Sequence, residues 1–264
     1  MKNAELGNPT VLNKTALDFK RGLKKVKTGL LCIHGFTGGP YEIEPFVQYI
    51  EEKTDWIVKV PTLPGHGPTL SLTELTAENW MMEAEQALRL LQKEVDRVVV
   101  VGFSMGGLIA LYLAMRYKID RLVLLSAAAK YISGGQLLED VKDIVADAVS
   151  GKLSTNTFYH LYEYKLTHTP IRAAIEFLRI VKMVEPYYES ITVPVCIVQG
   201  KKDGIVPFAS AQYLYDRLGS EEKCMVTSEC GKHLICYSED CDDWFDEVLC
   251  FLEKNEKTNY YDCG

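Results

Sequence analysis

A run of valines followed by a glycine-rich turn constrains the fold of this chain more than any other feature. Residues 98–115, VVVVGFSMGGLIALYLAM, contain no charged side chain and are long enough for a membrane span. However, a block of β-branched residues favours a buried strand, and the apolar residues after the glycines recur at helical spacing. The run therefore predicts a strand, a sharp turn and a buried helix, and no integral membrane segment.

Apolar stretches alternate with helical patterns along most of the remaining sequence. The predicted strands cover residues 26–33, 57–60, 98–103, 122–125, 195–199 and 224–227. The predicted helices cover residues 41–53, 76–94, 105–117 and 239–253. Apolar strands that alternate with helices are typical of a parallel sheet with helices on both faces.

Residues 130–190 break this alternation, because they contain helical patterns and no convincing strand. Two apolar stripes have helical spacing, one at Val141, Ile144, Val145 and Ala148 and the other at Ile171, Ile175, Leu178 and Val181. An all-helical insertion between two strands is interpreted as a cap over one edge of the sheet. We therefore expect one core domain, residues 1–129 and 191–264, and a helical cap, residues 130–190.

The turn in the first window, GFSMG at residues 102–106, fits the pattern G-x-S-x-G. Between a strand and a helix this pattern predicts a nucleophile elbow, with Ser104 in a strained conformation that needs small neighbours. The hydroxyl then lies at the carboxyl edge of the sheet, where the helix N-terminus favours developing negative charge. The alternative is a glycine-rich turn with an incidental serine, which is less consistent with a strand, turn and helix in register.

A serine hydroxyl is a weak nucleophile at neutral pH and needs a base. After a nucleophile elbow the acid and then the histidine follow in chain order, which excludes His34 and His66 as the base. His160 and His168 lie in the predicted cap, whereas His233 follows the last predicted strand in a turn. His233 is therefore the candidate base, and a surface-loop histidine is the alternative.

The candidate acid is Asp203, in the segment GKKDGIVP at residues 200–207. This segment follows the predicted strand 195–199, and α/β sites gather at the carboxyl ends of strands. An aspartate there would hold the imidazole in the required tautomer and stabilise its charged form. The alternative is an Asx-turn, since Asp-Gly is a common turn pair.

A second loop, HGFTGG at residues 34–39, follows the first buried strand. An oxyanion hole needs two backbone N–H donors that face the same point. Met105, the residue after the nucleophile, would supply one donor, and Phe36 in this loop would supply the other. His34 is interpreted as a structural hydrogen-bonding residue, and His66 as a link between loops.

Composition excludes several other classes of function. The net charge is −7, which argues against a nucleic-acid partner. The eight cysteines form no C-x-x-C pair and have no histidine at zinc-finger spacing, so we expect no metal. The N-terminal residues lack the apolar core of a signal peptide, and we expect reduced thiols and a cytoplasmic location.

The chain contains five motifs in the order HGFTGG, LPGHG, GFSMGG, GKKDGIVP and GKH. These motifs and their order resemble those of the bacterial carboxylesterase and monoacylglycerol lipase family of the α/β-hydrolase superfamily. The resemblance spans residues 28–253 and implies the α/β-hydrolase fold, a mostly parallel central sheet flanked by helices with a small helical cap over an acyl pocket. It also implies a catalytic triad at Ser104, Asp203 and His233, with oxyanion-hole donors at Phe36 and Met105. The chain departs from the family at residues 230–232, CGK, where Ser-Gly is commoner before the histidine.

The resemblance implies a serine carboxylesterase that hydrolyses short- to medium-chain esters through an acyl-enzyme intermediate. Its substrate would be a small-molecule ester, and it would need no cofactor. Monoacylglycerol lipase is the nearest alternative, followed by aryl or cinnamoyl esterase and thioesterase. An α/β-hydrolase protein that only binds a ligand is an alternative of a different class, but a pure binder does not need a complete triad. The oligomeric state carries no sequence signal.

Overall fold

The apolar runs of the sequence form one parallel sheet in the computed structural model, which describes residues 26–129 and 169–254. The strands, in chain order, are β1 (Thr28–Ile33), β2 (Ile57–Lys59), β3 (Arg97–Phe103), β4 (Arg121–Leu125), β5 (Val195–Gly200) and β6 (Lys223–Ser228). They are hydrogen-bonded in the order β2-β1-β3-β4-β5-β6, and every pair is parallel. The six predicted strands are thus confirmed, and their bounds differ from the prediction by no more than two residues.

Helices cover both faces of this sheet. They are α1 (Glu44–Lys53), α2 (Ala77–Leu91), α3 (Met105–Arg116), α4 (Ile171–Val184), α5 (Phe208–Arg217) and α6 (Cys241–Glu253), with 3-10 turns at Pro40–Glu42, Glu185–Ser190 and Ile235–Tyr237. On one face α1 and α6 contribute Phe46 and Trp244 to the core. On the other face α2, α3 and α4 contribute Trp80, Leu108 and Phe177.

The four central strands, β1, β3, β4 and β5, are buried along their whole length. Alternate side chains of a strand reach the two helical layers: Leu31 of β1 packs with the α2–α3 layer and Cys32 with the α1–α6 layer. Both faces are therefore apolar, which explains the continuous valine block of β3. No helix within the two described stretches is long and apolar enough to cross a membrane.

The predicted helix 41–53 is wrong in its first turn, because a separate 3-10 turn precedes α1. Pro45 has no N–H to donate to the Tyr41 carbonyl, so one continuous α-helix would leave that carbonyl without its bond. The Tyr41 carbonyl instead accepts a hydrogen bond from the Tyr237 hydroxyl over 2.6 Å. Pro45 lies in the first turn of α1, where no intrahelical N–H bond is required.

The described part of the predicted cap is helical, but its buried face differs from the predicted stripe. Ile171 and Ile175 are 67% and 51% exposed. The residues that α4 buries are Ala173, Ala174, Glu176, Phe177, Ile180, Val181 and Val184. Ala173, Ala174 and Phe177 belong to the same core cluster as the buried residues of α3. Residues 130–168, which hold the other predicted stripe, His160 and His168, lie outside the described residues, so the division into core and cap stays a prediction.

Because all strands are parallel, their carboxyl ends lie along one edge of the sheet. Loop 34–39 follows β1, Ser104 follows β3, loop 201–207 follows β5 and loop 229–234 follows β6. The topology thus brings the sequence-predicted site residues from four distant segments to the same edge.

Candidate active site

Ser104 lies at the turn from β3 to α3 with a positive φ of 52°. Its neighbours have no room for side chains: a Cβ on Gly102 would overlap the backbone of Gly106, and a Cβ on Gly106 would overlap the carbonyl of Ile33. The glycines are therefore required by close backbone approach. A strained non-glycine residue of this kind is typical of functional sites.

Side chains from three loops form a continuous hydrogen-bonded chain at this edge. The Ser104 Oγ–H donates to His233 Nε2 over 3.1 Å, and His233 Nδ1–H donates to Asp203 Oδ2 over 3.0 Å. An ionised carboxylate only accepts hydrogen bonds, so the proton of the neutral imidazole lies on Nδ1 and Nε2 accepts from the serine. The structure thus brings together the candidate nucleophile, base and acid in the geometry of general-base catalysis.

The Asp203 carboxylate is buried and fully hydrogen-bonded. Its side chain is 0% exposed. Oδ1 accepts the backbone N–H groups of Ile205 and Val206, each over 2.9 Å, and Oδ2 accepts from His233 and from Gln199 Nε2 over 3.1 Å. Burial alone would raise the pKa of Asp203, but His233 and the two backbone N–H groups together lower it. The acid is therefore held as an anion against the imidazole.

Backbone hydrogen bonds join the loop that carries the acid to the loop that carries the base. Lys201 N–H donates to the Ser228 carbonyl and Lys202 N–H donates to the Gly231 carbonyl, both over 2.9 Å. A Cβ on Gly200 would overlap the Gly231 carbonyl, so the two loops touch at their backbones. This contact fixes the separation of Asp203 and His233.

Asp240 holds the segment before His233, where the sequence departs from the family pattern. Its carboxylate accepts the Ser228 hydroxyl over 2.6 Å and the Cys230 N–H over 3.2 Å. Burial opposes ionisation of Asp240, but these two hydrogen bonds help to lower its pKa. Sequence reasoning missed this role, because Asp240 falls within the predicted helix 239–253.

The candidate oxyanion loop, residues 34–39, is tied to loop 63–67. His34 Nδ1–H donates to the Gly35 carbonyl over 2.9 Å, and His34 Nε2 accepts the Leu63 N–H over 3.0 Å. Gly67 N–H donates to the Gly38 carbonyl over 2.8 Å. His34 is thus a structural hydrogen-bonding residue with both ring nitrogens engaged by the backbone.

A buried carboxylate supports the same loop from the other side. Glu42 Oε2 accepts the Gly35 N–H over 2.9 Å, and a Cβ on Gly38 would overlap the Glu42 carboxylate. This contact is not predictable from the sequence, because Glu42 falls within the predicted helix 41–53.

The two predicted oxyanion donors lie on opposite sides of Ser104 in the sequence. Within residues 26–129 and 169–254, neither the Phe36 N–H nor the Met105 N–H donates to a protein acceptor. Met105 is the first residue of α3, where backbone N–H groups have no intrahelical acceptor. The Phe36 ring stacks on Phe177 of α4 at 5.5 Å between ring centroids. Phe36 and Met105 therefore stay the candidate oxyanion donors.

No metal centre accompanies these groups in the part of the chain that the structure describes. There, no three His, Cys, Asp or Glu side chains are grouped so that they could hold a metal ion. The chemistry that the arrangement supports is nucleophilic attack by an activated serine.

Two curated relatives and one solved structure are similar to most of this chain. A thermostable monoacylglycerol lipase from Bacillus sp. strain H-257 is 25% identical over 86% of this chain and 91% of that relative. A carboxylesterase from Bacillus subtilis strain 168 is 24% identical over 92% and 98%. A structure described as one of two metagenome-derived lipolytic enzymes superposes with a TM-score of 0.70 at 20% identity, over 87% of this chain and 95% of that chain.

A family profile matches the same region of the chain. The family is described as serine aminopeptidase, S33, and the match covers residues 27–240. The fold agrees with this match, since the sheet, the elbow and the order of the site residues are those of α/β-hydrolases. The protein therefore belongs to the serine aminopeptidase S33 family of the α/β-hydrolase superfamily.

Proposed function

We propose that this protein is a serine carboxylesterase that hydrolyses short- to medium-chain carboxylic esters through an acyl-enzyme intermediate. One observation carries the proposal: Ser104, His233 and Asp203 form an unbroken hydrogen-bonded chain at a strained elbow. The carboxylesterase and lipase relatives support ester bonds as the target. We assign Ser104 as nucleophile, His233 as general base and acid, and Asp203 as the orienting carboxylate.

In the acylation step, Ser104 Oγ bonds to the ester carbonyl carbon while His233 Nε2 takes the hydroxyl proton. The carbonyl oxygen becomes an oxyanion and accepts hydrogen bonds from the Phe36 and Met105 N–H groups. The carbon–oxygen bond to the alcohol then breaks, and the imidazolium gives its proton to the departing alkoxide. The products of this step are the alcohol and an acyl-serine.

In the deacylation step, water replaces the alcohol. His233 Nε2 takes a proton from the water as its oxygen bonds to the acyl carbon, and the same two N–H groups stabilise the oxyanion. The bond to Ser104 Oγ breaks, and the imidazolium returns a proton to Oγ. Asp203 stabilises the imidazolium in both steps and is not itself protonated.

We propose residues 130–190 as a helical cap over the acyl-binding side of the core. The contact of Phe177 with Phe36 supports this, because it places α4 directly beside a candidate oxyanion donor. A cap in this position would enclose the acyl chain and limit its length.

The relative named monoacylglycerol lipase supports a second candidate, a lipase acting on monoacylglycerols. The family description supports a third, cleavage of aminoacyl amides. Rates on p-nitrophenyl butyrate, a monoacylglycerol and an aminoacyl p-nitroanilide decide among them, with Ser104→Ala as the control. We expect the highest kcat/KM on the simple ester. A higher kcat/KM on the monoacylglycerol or on the anilide would favour the second or the third candidate instead. If the folded protein turns over none of the three substrates, the proposal is rejected.

A further inference from the structure

A buried glutamine of β5 contacts the same carboxylate oxygen as the histidine. Gln199 is 0% exposed, and its Nε2 lies 3.1 Å from Asp203 Oδ2, which is also 3.0 Å from His233 Nδ1. We propose that Gln199 is a positioning residue, which holds the Asp203 carboxylate in the orientation that His233 requires. This inference rests on the proposed function, in which Asp203 orients the base.

The orientation of the Gln199 amide is fixed by its surroundings. Besides Asp203 Oδ2, the Nε2 group lies 3.0 Å from the Val206 carbonyl and 3.4 Å from the Gly200 carbonyl. All three neighbours can only accept hydrogen bonds, so the nitrogen and not the oxygen of the amide must face them. The amide therefore donates to the carboxylate.

The same amide joins the rigid strand to the far end of the loop that carries the acid. Gln199 pairs in register with Thr227 of β6, so its backbone is fixed by the sheet. Val206, whose carbonyl accepts from the amide, also donates its N–H to Asp203 Oδ1. Gln199 thus restrains Asp203 directly through Oδ2 and indirectly through the turn that holds Oδ1.

A neutral donor suits this position better than a charged one. A cation beside Oδ2 would neutralise the carboxylate, whereas an amide leaves its full charge to stabilise the imidazolium of His233. Of the two lysines on this loop, Lys201 pairs with Glu229, 2.5 Å away at the exposed rim, and Lys202 is exposed. With the amide removed, the carboxylate would attract the imidazolium more strongly, and the acid limb of the pH–rate profile would move to higher pH.

Gln199→Met tests the inference, because it removes the donor and keeps the length and bulk of the side chain. We expect kcat for the ester to fall about ten- to hundredfold, the usual effect of losing a hydrogen bond to a charged group. KM should stay within about threefold, and the acid limb of the kcat/KM profile should move up by about half a pH unit to one pH unit. An unchanged kcat, or a lower kcat with an unmoved acid limb, would overturn the inference.

Gln212→Met is the matched control. Gln212 is an exposed residue of α5 whose Nε2 also donates to an aspartate, Asp216 Oδ1, over 2.9 Å. The same substitution there should leave kcat and the pH profile as in the unsubstituted protein. If both variants lose activity equally, the effect is not specific to the Asp203 contact and the inference fails.

A measurement on the unsubstituted protein covers the case in which Gln199→Met does not fold. In protein with ¹⁵N-labelled glutamine, the Gln199 side-chain N–H shift should follow the same pH transition as the His233 ring protons. A flat Gln199 signal across that transition overturns the inference even if the protein is an active esterase. Conversely, if the protein has no esterase activity, the proposed function is rejected. The titration of the Gln199 signal then still tests the contact between Gln199 and Asp203.

Discussion

Gly38 of the loop 34–39 lies directly against the carboxylate of Glu42. The Glu42 carboxylate accepts the Gly35 N–H and lies where a Gly38 side chain would have to go. Glu42 is itself buried, so it cannot swing aside without losing that hydrogen bond. The position of the Phe36 N–H therefore depends on the fit between Gly38 and Glu42.

Replacing Gly38 tests this dependence. In Gly38→Ala the new Cβ would overlap the Glu42 carboxylate, and the loop would have to shift. A donor displaced by about 1 Å costs on the order of a hundredfold in rate, so we expect kcat to fall between tenfold and a hundredfold. Gly204→Ala is the control, since nothing lies within 4 Å of its Cβ. Similar kcat values for the two variants would contradict the role assigned to the loop.

The ionised Asp203 should also affect stability. Its pKa is lowered in the folded chain, so its charge contributes stability above the ordinary value of about 3.9, and this contribution is lost as the pH falls through the lower folded value. Asp203→Asn removes the titrating group. We therefore expect urea unfolding between about pH 4 and pH 2 to show a smaller loss of stability in the variant than in the unsubstituted protein. Parallel curves for the two proteins would contradict this account.

At the scale of elements, an ion-pair cluster fixes α4 against α2. Arg179 pairs with Glu78 of α2 and with Glu176, each over 2.5 Å, and Glu176 accepts the Ala77 N–H at the start of α2 over 3.1 Å. Next to this cluster, Phe177 stacks on Phe36. The described helix of the predicted cap, α4, is thus held against α2 and contacts the candidate oxyanion loop, residues 34–39.

Truncation of Phe177 on α4 should lower both the stability of the protein and its kcat. Phe177→Ala leaves a cavity under Phe36, and we expect the free energy of unfolding to fall by about 3–5 kcal/mol, with a lower kcat. Ile175→Ala on the same helix is the control, because Ile175 is 51% exposed, and it should cost less than about 1 kcal/mol. Thermal and urea unfolding measure the difference. Equal losses in the two variants would show that Phe177 has no special part in the core.

The elements that sequence reasoning predicted well are those whose signal is local. The valine block and the glycines after it define β3 and the elbow, because adjacent residues determine both. The predicted buried face of α4 was wrong at Ile171 and Ile175, because the face that joins the core carries Ala173, Ala174 and Phe177 instead. Helical spacing identifies a helix, but the neighbouring element decides which face it buries.

The supporting residues of the site were not predicted, for a related reason. Gln199, Glu42 and Asp240 act through partners that only the register of the sheet and the folding of loops bring close. In the sequence each belongs to an ordinary strand, helix or helix start. The three candidate triad residues, Ser104, Asp203 and His233, were predicted because their types and their order along the chain are themselves informative.

At the scale of the whole molecule, the proposed cap would limit the size of the substrate, because it would enclose the acyl chain against the core. Each buried methylene adds about 0.8 kcal/mol, roughly fourfold in affinity, until the pocket is full. Longer acyl chains would then have to protrude into water or displace the proposed cap. We expect kcat/KM on p-nitrophenyl esters to peak between butyrate and caprylate and to fall well before palmitate. A steady rise to palmitate would favour the lipase candidate.

The most direct test of the central claim is to trap the acyl group on Ser104. Mixing the protein with p-nitrophenyl butyrate should release a burst of p-nitrophenol matching the enzyme concentration, and acid quenching should leave one butyryl group on the peptide that contains Ser104. Ser104→Ala should show neither burst nor adduct, and its kcat should fall by about 10⁴- to 10⁶-fold with the fold intact. An adduct on another residue, or a variant that keeps a tenth of the activity, would contradict the assignment of Ser104 as nucleophile.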